Sequence, residues 1–247
     1  MENEKFIPGI YNYCDRWCER CEFTNRCRLF FDEQKQLQES EGKDNFFEII
    51  SKNFEKTFEL LHKIAEEKGI DLDNIEVDEE AFQNEQEKYK NARQHPLVLL
   101  AKTYTEQVDQ WLEERDYLES ENAKHLKNIN LGIQLDESDK ALRIIDEAMN
   151  IINWYKFQIQ IKLASAINYY PHNPTFEDKI QNMHHASARI ALIGINNSMK
   201  AWQSFFELLD DDNDKILNIL LQLHQLQAKI NQQFPLLYKF KRPGFED

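Results

Sequence analysis

SDKALRIIDEAMNIINWYKFQIQIKL, residues 138–163, decides the fold. Ala141, Leu142, Ile144, Ile145, Ala148, Met149, Ile151, Ile152, Trp154, Tyr155, Phe157, Ile159, Ile161 and Leu163 cover much of the circumference of a helix, whereas a helix at a surface would carry a single apolar stripe. Such a helix must be enclosed by others. The run predicts an all-α multi-helix bundle with this helix at its centre, capped by Ser138 or Glu137.

Neighbouring segments supply the enclosing helices. Upstream, a break near residues 131–137 is marked by Leu131-Gly132. Before it, Pro96 reads as the first residue of a helix carrying Leu97, Leu99, Leu100, Tyr104, Val108, Trp111 and Leu112 toward the core. Downstream, Tyr170-Pro171-His172-Asn173-Pro174 is a turn leading to a helix from about Thr175 to Leu209. Ala186, Ala188, Ala191 and Gly194 keep one side of that helix narrow for close approach. The acidic run at 210–214 then caps a last helix with Ile216, Ile219, Leu220, Leu223, Leu226 and Ile230 inward, ending before Pro235. Toward the N-terminus, Asn45–Lys68 is an amphipathic helix with Gly69 as its stop. Residues 71–80 form an acidic connection, and Ala81–Ala92 reads as a weak helix or a mobile linker.

Six glycines, six prolines and 30% charged residues in 247 agree with a helical chain. The net charge of −14 excludes a nucleic-acid surface, because phosphates would be repelled. Residues 1–32 hold five basic and six acidic side chains, net −1, which leaves −13 on the rest. The start has no basic region followed by an apolar run, and no window offers a membrane span, so a soluble cytoplasmic protein is expected.

All four cysteines stand in Y13-CDRWCERCEFTNRC-27, spaced C-x3-C-x2-C-x5-C. Clustered cysteines in a reducing compartment are ligands more often than disulfides, so Cys14, Cys18, Cys21 and Cys27 are the candidate metal and cofactor ligands. On one continuous helix Cys14, Cys18 and Cys21 would share a stripe with the outer Cα atoms about 10.5 Å apart. One zinc joins Cα atoms only roughly 8 Å apart. A continuous helix therefore favours a [4Fe–4S] cluster, whereas a broken one readmits zinc. Arg16, Arg20, Arg26 and Arg28 would offset the negative charge of four thiolates on either centre.

Cys18, Cys21 and Cys27, as C-x2-C-x5-C around Phe23, resemble the auxiliary four-iron sites of some radical-SAM enzymes and iron–sulfur nucleases. The C-x3-C-x2-C portion is similar to the radical-SAM signature, but this chain lacks the strand series of that family's barrel. Together with ALIGI and W-x-x-F near 191–205 and the final RPGF, the opening resembles an uncharacterised group of bacterial proteins, which implies no activity.

The expected organisation is a cysteine-rich metal module at 1–32, an amphipathic helix and acidic connection at 33–95, and the main bundle at 96–247. Iron–sulfur electron transfer or redox sensing is the first function expected. The alternatives are a structural-zinc module docking a protein partner, and an enzyme with a small-molecule pocket among residues 154–197. That pocket would use Trp154, Tyr155, Gln158, Gln160, Asn196 and Asn197, although hydrogen bonds between helices explain the same polar residues more simply.

Other constellations are weaker. Glu59-x-x-His62 is half of a di-iron motif whose other half could only be Gln181-x-x-His184 or Asn182-x-x-His185, and amides bridge metals poorly. His184 and His185 point about 100° apart on a helix, so at least one should face solvent or a backbone group. The acidic run fails as a calcium loop at Lys215 and Leu221. Phosphate loops, nucleophile elbows and zinc-protease motifs are absent.

Overall fold

The computed structural model describes residues 5–39, 46–72, 78–114, 116–132, 135–169, 178–209 and 213–246. Its α-helices are α1 Arg28–Glu39, α2 Phe46–Lys68, α3 Glu79–Gln94, α4 Pro96–Glu113, α5 Asp116–Asn130, α6 Leu135–Asn168, α7 Met183–Leu208 and α8 Asn213–Gln233, with no strand among the described residues. The chain divides into two compact units, Met1–Gln86 and Glu87–Asp247, and the division falls within α3.

In the second unit α4 packs on α6, α6 on α7, α7 on α8 and α8 back on α4, with α5 added to α6. Four helices thus close a ring around one core. α6 buries one stripe rather than its whole circumference: Ile145, Ile152, Tyr155, Ile159 and Leu163, three, four or seven residues apart, share one face and are all buried. Across the core, Trp202 Nε1 of α7 donates to the Tyr104 hydroxyl of α4 at 3.3 Å, and the Trp111 and Trp202 rings meet edge to face at 4.9 Å. Burial of that hydroxyl pushes the Tyr104 pKa up to about 12, so it remains a neutral donor and acceptor. Gly194 marks a close approach of α6 and α7. A Cβ there would lie 2.9 Å from Tyr155 Cδ1 and 3.1 Å from Ile159 Cγ1.

Several elements follow the periodicity closely. Pro96 opens α4 behind His95, whose Nδ1 accepts the Leu97 N–H at 3.2 Å. Ile216, Ile219, Leu220, Leu223, Leu226 and Ile230 of α8 are buried. Gly69, at φ +66°, ends α2, and the Ile70 N–H reaches back to Ala65 O at 2.8 Å.

Other boundaries differ from expectation for local reasons. α6 begins at Leu135, which puts Ser138 inside the helix rather than at its cap; its side chain is buried, with Oγ 3.5 Å from His125 Nδ1 of α5. α7 begins at Met183, not near residue 175. Asp178 Oδ1 accepts the N–H groups of Ile180 and Gln181 at 2.7 and 2.9 Å, a side-chain turn that competes with helix. Both bonds hold the Asp178 carboxyl below the usual range. Asn182, in extended backbone, then caps the helix by accepting the His185 N–H at 2.9 Å. Residues 81–92 take the helical alternative, within the sixteen-residue α3, and the division between the two units falls among them. Leu99, Phe157 and Ile161, expected toward the core, are 40, 51 and 63% exposed. The expected turn at 170–174 and residues 210–212 of the expected acidic cap lie outside the described residues.

Candidate functional site

The cysteine segment is not a helix. Gly9, at φ +66°, opens a 3-10 turn over Ile10–Asn12, and two more turns follow at Cys18–Arg20 and Thr24–Arg26. Between Cys14 and Cys18 the chain reverses at Arg16, whose φ of +61° makes it the sole non-glycine residue in the left-handed region among the described residues. That conformation costs about 1–2 kcal/mol for a residue with a Cβ. The Trp17 N–H bonded to Asp15 Oδ1 at 3.2 Å and the Cys18 N–H bonded to Arg16 O at 3.0 Å hold the reversal. Cys21 and Cys27 are extended and each closes a 3-10 turn with its own N–H, onto Cys18 O and Thr24 O, both at 3.2 Å. The Ile7 N–H to Arg26 O bond at 2.9 Å ties the start of the segment to its end.

The single-helix geometry is therefore corrected, and the distance that spoke against one zinc goes with it. Helical spacing of Cys14, Cys18 and Cys21 arises here from turns of three residues separated by extended positions, a chain path that periodicity does not distinguish from a helix.

All four cysteines are partly buried free thiols. The Phe23 N–H donates to Cys21 Sγ at 3.4 Å, two residues after that cysteine, and the Cys14 thiol donates to Tyr11 O at 3.5 Å. Burial pushes the Cys14 thiol up, while the Arg16 amide and guanidinium pull the other way. Burial also raises Cys18, followed by the negative charges of Cys14, Glu33, Cys21 and Cys27, so Cys18 lies within electrostatic reach of the other three. In the conformation described, no group of three or more His, Cys, Asp or Glu among the described residues stands arranged to hold a metal ion.

The surrounding cations are partly committed elsewhere. Arg20 stacks on Trp17 with its guanidinium carbon 3.8 Å from the ring centroid, and Arg28 pairs with Asp32 at 2.9 Å. Arg16 lies 5.7 Å from the Tyr11 ring centroid and is the arginine whose charge reaches Cys14. Phe6 and Phe31 pack with centroids 5.5 Å apart, and Ile10, the first residue of the first turn, is buried.

The remaining candidates resolve into structural roles. Glu59 and His62 are exposed on α2. The Asn182-x-x-His185 spacing is the cap of α7, and His185 Nδ1 meets Ile180 O at 3.0 Å, the backbone group expected for one of this histidine pair. The His184 and His185 rings lie 4.3 Å apart, packed beside Phe234. Asn197 donates to the Tyr155 hydroxyl at 3.1 Å and Gln227 donates to Asn196 at 2.8 Å, so both asparagines make hydrogen bonds between helices. Gln160 lies instead in an outer groove between α4 and α6, together with Arg93 and Asn168, which motif reading passed over. The signal for that groove was present in outward apolar residues at Leu99, Phe157 and Ile161.

No family model, no curated protein and no solved structure matches the chain. Among the described residues no helix is long and apolar enough to cross a membrane.

Proposed function

We propose that Cys14, Cys18, Cys21 and Cys27 are the ligands of one metal centre, a [4Fe–4S] cluster, and that the protein works in electron transfer or redox sensing. The observation carrying this reading is a segment of turns that keeps all four cysteines as part-buried free thiols, with the Phe23 N–H aimed at Cys21 Sγ at 3.4 Å. Such a donor is of most use to a thiolate, whose charge it offsets and whose centre's potential it tunes. The cost of the left-handed Arg16 is consistent with a turn kept for what it brings together. Four partly exposed sulfurs put the centre within reach of an electron-exchange partner, and the thiols would converge on the metal as it loads. A reducing cytoplasm keeps such cysteines free to bind.

The break at Arg16 supports a second reading, a structural zinc that shapes the segment as a docking surface for another protein, because a turning chain satisfies the short span around one ion. Purification without oxygen followed by metal and acid-labile sulfide analysis separates them. Brown protein with iron and sulfide is expected. Colourless protein with one zinc and no sulfide selects the second reading. Cys18→Ser, Cys21→Ser and Cys27→Ser should each lose metal, and stoichiometric retention in all three would reject a shared centre.

A further inference from the structure

Outside the ring of four helices, the end of α3 and the start of α4 run beside the second half of α6 and leave a groove of about 580 Å³. That volume lies in the range of small-molecule sites. Val98 and Leu99 form one wall and Phe157, Ile161 and Ala164 the other. From Phe157 to Asn168 the helix rises about 16 Å, so the groove is elongated. Three of its apolar side chains, Leu99, Phe157 and Ile161, remain substantially exposed, which leaves the walls uncovered among the described residues.

Its polar lining includes an amide and two cations. Asn168 is only 8% exposed, and its buried Oδ1 has no hydrogen-bond partner among the described residues. An amide oxygen in that position is stabilised by a donor brought to it. Arg93, exposed near the end of α3, lines the same groove. Lys102, about one turn beyond Val98 on α4, lines the same wall and pairs with Glu106 at 3.3 Å. No Asp or Glu lines the groove among the described residues, on a chain with 44 acidic against 30 basic side chains. A chance depression on so acidic a surface would be expected to include carboxylates.

We propose that this groove binds an amphipathic carboxylate, an aliphatic acid with a hydroxyl close to its head. The carboxylate is held by Arg93, the hydroxyl donates to Asn168 Oδ1, and the chain lies along Leu99, Ile161 and Phe157. The requirement for both groups follows from the two polar side chains having opposite needs: the guanidinium only donates and the amide oxygen only accepts.

Isothermal titration of the full chain with β-hydroxydodecanoate, dodecanoate and dodecyltrimethylammonium, all below their micellar concentrations, tests this. One hydroxy acid per chain should bind about fivefold tighter than dodecanoate, the ratio that one neutral hydrogen bond provides. The cation should show no saturable binding, although the net charge of −14 favours it on general electrostatic grounds. Arg93→Gln should weaken both acids about tenfold, as loss of a charge-assisted hydrogen bond requires. Asn168→Ala should leave dodecanoate binding unchanged and abolish the preference for the hydroxy acid, a result that general damage to the fold would not produce. Equal binding of the cation and the acids, no binding of either acid, or unaltered ratios in both variants overturns the proposal.

Discussion

The bundle and the cysteine segment are held by different means. Among the described residues before Ala92, the buried apolar side chains are Ile10 and Ala65, whereas α4, α6, α7 and α8 bury Trp202, Tyr104, Phe205, Ile152, Ile159, Leu163 and Ile195 almost completely. Burial of apolar area stabilises the second set at roughly 25 cal/mol per Å². The segment from Gly9 to Cys27 has three short turns, one left-handed residue and hardly any core, which is the condition in which small folds depend on a metal or a covalent tie. One region folds because its side chains leave water, and the other is shaped by hydrogen bonds around sulfur.

The largest expected effect lies at the centre of the bundle. Trp202→Ala removes a fully buried ring, its edge-to-face contact with Trp111 and its bond to Tyr104. A loss of about 3–5 kcal/mol is expected, read as a lower urea midpoint at constant slope. A change within the range of surface substitutions would mean that this ring is not enclosed and would undo the contrast between the regions.

Much of the bundle could be read from the amino-acid order, because burial leaves a period. Residues 141–163 announce a long apolar helix of the bundle, although α6 buries one stripe of it rather than the full circumference; the small residues through Gly194 announce a close crossing, and Pro96 announces a helix start. Starts set by particular side-chain bonds were less legible. Asp178 and Asn182 delay α7 through hydrogen bonds that neither apolar spacing nor propensity reports. The cysteine segment was legible in composition and misleading in shape, since three thiols at helical spacing also suit consecutive 3-10 turns. The outward positions of Leu99, Phe157 and Ile161 escaped because apolar residues around a whole helix do not say which side is left open.

A smaller effect is expected at Gly194. Gly194→Ala places a Cβ 2.9 Å from the buried Tyr155 ring, which is also held by Asn197. Overpacking costs about 1–3 kcal/mol, and the better helix propensity of alanine recovers about 1. Gly194→Val has no comparable recovery and should be the less stable of the two in thermal unfolding. Equal or higher midpoints for both variants would show that α6 and α7 have room to separate.

His185 tests the bundle through pH. Its burial lowers the folded-state pKa below the usual 6.5, against the opposing bond to Ile180 O. Below pH 6.5 the unfolded chain takes up this proton before the folded one, so the associated stability is present above that pH and declines as pH falls. Urea unfolding from pH 8 to 5 should show a decline that is shallower in His185→Gln. Identical pH dependence in the two proteins would show that His185 titrates freely in the folded state.

The smallest effect should be the one that removal of the proposed metal has on the bundle. The ring of α4, α6, α7 and α8 closes between residues 96 and 233, and the buried side chains named for it come from that span. Removing the metal from the intact protein, or making Cys18→Ser, should expose residues 9–27 to protease and leave the cooperative thermal transition of the bundle within about 1 °C, since surface changes away from a core are nearly neutral. Released thiols should become reactive at all four cysteines together, because the ligands of one centre are freed as a set. A fall of several degrees in the bundle transition would place the cysteine segment within the same cooperative unit. The two ways of holding the chain would then be one, with the metal stabilising the helices as well as the turns.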